Sequence, residues 1–116
     1  MVERTQRGDG SVSMRRNAPN APLEHVAPNK EGIFEITAQQ MERIELHLGA
    51  VHDGYIRSAH ETQVLPLGST LDPDTGVFYW DIISPFFGTY DLEFTPDDPG
   101  ASPVRVRVTV TGKMFE

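Results

Sequence analysis

The chain has 116 residues, enough for one domain of ordinary size, with 38% hydrophobic and 23% charged residues. It contains no cysteine, which excludes disulfides, thiolate metal sites and a cysteine nucleophile. Its net charge of −7 is uneven: residues 1–31 carry +1 and residues 32–116 carry −8, an acidic balance that argues against nucleic-acid binding by the folded part.

Residues 1–31 contain no aromatic side chain and are rich in Arg, Asn, Pro, Gly and Ser. Such a segment buries too little apolar surface to offset the cost of ordering, about 1–2 kcal/mol per residue for the backbone. It reads as a flexible lead or linker, extended through its three Ala-Pro steps. It also lacks the apolar stretch of a secretory signal, and no apolar run in the chain is long enough to span a bilayer, which argues against direct membrane insertion. The folded domain is then expected over residues 32–116, as one piece of a longer chain.

Ile33 to Thr37 has strand composition. Residues 38–48 are ambiguous between helix and strand. Ile44, Leu46 and Leu48 alternate with Arg43, Glu45 and His47 and favour a strand, with a short helical turn over Ala38 to Glu42. Gly54 to Ala59 forms a further short strand. Pro66 cannot donate to a ladder, so Val64 to Leu67 lies at a sheet edge or crosses between sheets. Asp72-Pro73-Asp74-Thr75-Gly76 is a turn: Pro73 presets φ, Asp72 accepts from backbone N–H groups and Gly76 takes positive φ. Val77 to Trp80 follows as a strand with Phe78 and Trp80 on one face. An apolar connection, Ile82 to Phe87, leads to Tyr90, Leu92 and Phe94 facing one way, with Asp91 and Glu93 facing the other. Finally Val104, Val106, Val108 and Val110 alternate with Arg105, Arg107, Thr109 and Thr111, the clearest strand in the chain. About seven short strands, with ten glycines and nine prolines to turn them, point to an all-β sandwich.

Leu65, Pro66, Gly68, Leu71, Asp72, Thr75, Gly76, Phe78 and Trp80, followed by Gly88, Tyr90 and the valines 104 to 110, form a pattern. In this pattern the chain resembles the bacterial putative-Ig and cadherin-like domains, over roughly residues 64–111. The resemblance implies an immunoglobulin-like Greek-key sandwich, one module among several in a bacterial envelope or secreted protein. It implies no shared catalytic residues. It also implies that Gly88-Thr89-Tyr90 is a tyrosine corner, the phenol bonding back to nearby backbone.

Candidate sites are few. Asp72 and Asp74 in one turn and Asp97 and Asp98 in another are the residue type a calcium ion needs, but they are also ordinary turn residues, and no complete calcium motif is present. His47, His52 and His60 lack zinc spacing. Ser58, Ser69 and Ser84 lack a nucleophile elbow. Phe78, Trp80, Tyr90 and Phe94 would suit a sugar platform, though a small core needs them for packing. Ile82, Ile83, Phe86 and Phe87 either cap one end of the core or form an apolar patch for a protein partner or a neighbouring domain. The arginines of the last strand suit either edge protection or pairing with Glu45 or Glu93. The expectation is therefore a non-catalytic structural or interaction module without a cofactor, with a carbohydrate- or calcium-binding module as the alternative.

Overall fold

Ten β-strands and no helix are found among the described residues (12–18, 20–83 and 85–112) of the computed structural model. They form two five-stranded sheets. The first runs, in spatial order, β2 (Glu24–Val26), β1 (Val12–Arg16), β4 (Arg43–His47), β8 (Val77–Asp81) and β7 (Ser69–Asp72). The second runs β3 (Ile33–Gln39), β10 (Val104–Thr111), β9 (Gly88–Pro96), β5 (Val51–Arg57) and β6 (Thr62–Gln63). Neighbours are antiparallel except β3 and β10, which are parallel.

Period-two patterning explains which face each strand buries. All four valines of β10 are buried, while Arg105 is exposed and Arg107 half-buried. Phe34, Ile36 and Ala38 of β3, Ile44 and Leu46 of β4, Phe78 and Trp80 of β8, and Leu92 and Phe94 of β9 close the core between the sheets. Phe78 and Phe94 meet edge-to-face across it, with ring centroids 5.3 Å apart.

Order does not begin near Gly32. Of the stretch read as a flexible lead, residues 1–11 lie outside the described ones, and the rest supplies β1 and β2; β1 lies inside the first sheet, paired to β4 from Ser13–His47 to Arg16–Ile44. Val12 is fully buried and Met14 is 5% exposed. Two apolar residues at the right spacing are enough here because β4 already provides a hydrogen-bonding edge.

Nor does a helical turn form over Ala38 to Glu42. β3 runs on to Gln39, and the chain reverses through Met41, which sits in the left-handed region at φ 74°. Residues 43–47 are strand, which resolves the ambiguity of that run. Val64 to Pro66 carries the chain from β6 in the second sheet to β7 in the first, a crossing between sheets that suits Pro66. The last strand is second from the edge, covered by β3.

Candidate functional site

The two ends of the sandwich differ in chemistry. At one end lie the β3–β4 turn, the β8–β9 connection and Gly112, which follows β10. They are tied by backbone bonds: Gln40 N–H to the Thr111 carbonyl (2.9 Å), Met41 N–H to the Ile82 carbonyl (2.6 Å) and Ile82 N–H to the Glu42 carbonyl (2.9 Å). The Gln40 amide donates to the Phe86 carbonyl at 2.8 Å.

The four apolar residues of the connection divide between the two roles expected of them. Ile82 is buried, and Phe86 packs on the core edge-to-face against Trp80 and Tyr90, at centroid distances of 5.2 and 5.7 Å. Tyr90 in turn stands 5.6 Å from Trp80. Its hydroxyl donates to the Phe87 carbonyl and accepts from the Phe87 N–H, both at 3.1 Å. The phenol thus pins the connection to the start of β9, as a tyrosine corner does. Phe78, Trp80 and Phe94 are fully buried and form no platform for a sugar.

Ile83 and Phe87 point outward, with Phe87 65% exposed. They are joined by a residue that sequence reasoning missed, Met41, which is 61% exposed. A left-handed conformation at a non-glycine residue costs about 1–2 kcal/mol, and here it leaves a large apolar side chain exposed on a turn whose backbone bonds to Ile82. No motif marks such a turn. The only available signal is a methionine between polar residues at a strand reversal. The β6–β7 crossing, which exposes Val64 and Leu67, enters the first sheet at this same end, where the Gly68 carbonyl accepts from Asp81 N–H.

The opposite end is acidic. The β7–β8 turn carries Asp72 and Asp74, and the β9–β10 turn carries Asp97 and Asp98. The β4–β5 connection lies between them, with Leu48 N–H donating to the Gly76 carbonyl and Asp97 N–H to the Ala50 carbonyl, both at 2.9 Å. The four aspartates are therefore at one end, but not at one point. Asp72 Oδ1 accepts from Asp74 N–H (3.0 Å), Asp98 Oδ1 accepts from Gly100 N–H (2.9 Å), and Asp97 Oδ1 lies 3.0 Å from His52 Nδ1. Among the described residues no three His, Asp or Glu side chains form a group that could hold a metal ion.

The remaining polar candidates stand apart. His47 Nε2 is 2.6 Å from Glu45 Oε2, and His60 is exposed. The hydroxyls of Ser58 and Ser69 donate to the Glu61 and Pro66 carbonyls, and Ser84 lies outside the described residues. The arginines of β10 do not pair with Glu45 or Glu93. Arg107 holds Asp91 at 2.7 Å and Glu35 at 3.5 Å, and this hydrogen bond and charge raise its pKa further. Glu93 instead takes Arg57 (3.4 Å) and the Tyr55 hydroxyl (2.8 Å), and the hydrogen bond to Glu93, with burial, holds the Tyr55 phenol above its usual range.

No family model, curated protein or solved structure matches the chain.

Proposed function

We propose that the chain is a non-catalytic, immunoglobulin-like structural and protein-interaction module of a larger bacterial envelope or secreted protein, and that it docks through its apolar end. The observation that carries this reading is the exposure of Met41, Ile83 and Phe87 at the same end of the sandwich, outside the core. Exposed apolar surface that the core does not use is the mark of a contact site. Large apolar side chains, aromatics and methionine among them, are the usual anchors of such sites.

Strand order supports the immunoglobulin-like part. β1-β4-β8-β7 corresponds to the order A-B-E-D of that fold, and β10-β9-β5 to G-F-C. Tyr90 near the start of the F-equivalent strand fits the same scheme. Trp80 is a departure, since it stands on the E-equivalent strand rather than on C.

Val12 starts at the acidic end and Gly112 leaves at the apolar one, an arrangement suited to modules joined end to end. The test is site-specific photo-crosslinking in the cells that make the protein, with the reactive group at Phe87 or, as control, at Asp98. A discrete adduct from Phe87 alone, lost when Met41→Ser and Ile83→Ser are added, supports the reading. Equal labelling from both ends, or an adduct indifferent to those changes, overturns it.

A further inference from the structure

Residues 32–112 hold twelve Asp or Glu and four Arg. Three of those arginines, Arg57, Arg105 and Arg107, line one groove of about 390 Å³ on the second sheet. Gathering like charges costs free energy unless something neutralises them, and here the carboxylates are paired with two of the three. Arg107 has Asp91 and Glu35, and Arg57 has Glu93. The Arg105 guanidinium donates to a backbone carbonyl, that of Glu31, at 3.2 Å, and has no carboxylate partner among the described residues.

We propose that this groove binds a single carboxylate group carried by a small, otherwise uncharged ligand. The planar guanidinium fork matches a carboxylate with two parallel hydrogen bonds, and Arg105 keeps donors for it. Ile33 and Ala59 in the lining give the ligand body apolar contact. A polyanion does not fit. Asp91 also lines the groove, and Asp91, Glu35 and Glu93 already match the three arginines in charge, so a negative charge beyond the one held by direct hydrogen bonds to Arg105 meets only repulsion from a chain of net charge −7. The site is separate from the apolar end and does not depend on the docking proposed there.

The experiment is an amide NMR titration of the full chain at constant ionic strength with N-acetylglycine, its uncharged amide analogue, and inorganic phosphate. N-acetylglycine is expected to give saturable shifts concentrated at Ser58, Ala59 and Val106, with the amide analogue giving none. Arg105→Gln, an exposed position, should weaken binding at least tenfold while leaving the melting midpoint unchanged. Asp91→Asn removes the carboxylate that competes for Arg107 and should tighten binding severalfold. Equal shifts from the amide analogue, unchanged binding in Arg105→Gln, weaker binding in Asp91→Asn, or tighter saturation of the same amides by phosphate would each overturn the proposal.

Discussion

The two ends of this sandwich do the same job by different means. At the end that holds Trp80, closure is made by side chains: Ile82 and Phe86 plug the gap and Tyr90 ties the plug down. At the acidic end no aromatic plug is present among the described residues: Leu48 and Val51 are buried, and the turns are held by backbone bonds, Leu48 N–H to Gly76 and Asp97 N–H to Ala50, with two aspartates capping their own turns. Closing with side chains leaves surplus apolar surface in Met41, Ile83 and Phe87. Closing with aspartate-rich turns leaves surplus negative charge. The surplus at each end, rather than the closure itself, distinguishes the two ends.

The comparison makes truncation of the aromatic plug the costliest change at one end and strain in the tight turns the costliest at the other. The largest effect is expected from Trp80→Ala, which removes the fully buried centre of the aromatic cluster. It should cost about 3–5 kcal/mol in a denaturant melt, a large share of the stability of a typical domain. A melt near that of the parent would break the comparison at its strongest point.

Next comes Gly76→Ala at the acidic end. Gly76 has φ 72°, and a Cβ there would overlap the Gly49 carbonyl. The strain alone is about 1–2 kcal/mol, and moving the β4–β5 connection should add to it. Asp72→Ala beside it removes only a turn cap and should cost about 1 kcal/mol or less. If the two variants melted alike, the backbone account of this end would fail.

A smaller change is expected from Tyr90→Phe, which keeps the ring stack and loses the two bonds to Phe87, about 1 kcal/mol. Calcium should leave the melting midpoint of the parent where chelator leaves it, because Asp72 and Asp98 are tied to their own turns, Asp97 to His52, and no three described carboxylates of this end come together. A calcium-dependent rise would make that end a metal site.

Between the ends, the Tyr55–Glu93 bond gives a pH signature. The folded phenol is raised above its unfolded value, so its contribution to stability is complete below a pH of about 10 and is lost as pH rises through the raised value. Phenolate absorbance should therefore show one late-titrating tyrosine, absent in Tyr55→Phe.

Sequence reading succeeds where a pattern is local and redundant. Four alternating valines make β10 unmistakable, and the bonds of Tyr90 are anticipated only through the family resemblance at Gly88-Thr89-Tyr90. It fails where the cause is distant. β1 has only Val12 and Met14 to bury, and what orders it is the open edge of β4, some thirty residues away in the chain. Met41 carries no sign of its left-handed turn, because nothing in Gln40-Met41-Glu42 demands it. The apolar connection was legible as a group, but its division into Ile82 and Phe86 inside and Ile83 and Phe87 outside depends on where Trp80 and Tyr90 stand. The meeting of Arg57 with Arg105 and Arg107 likewise follows from strand order rather than from spacing.

The most direct test of the account is whether the exposed apolar side chains are surplus to folding. A denaturant melt of the Met41→Ser, Phe87→Ser double variant should fall within about 0.5 kcal/mol of the parent, as surface changes do. Ile82→Ala, one residue from the patch, should cost about 2–5 kcal/mol. A double variant as destabilised as Ile82→Ala would place Met41 and Phe87 in the core and leave the apolar end with no spare surface for a partner.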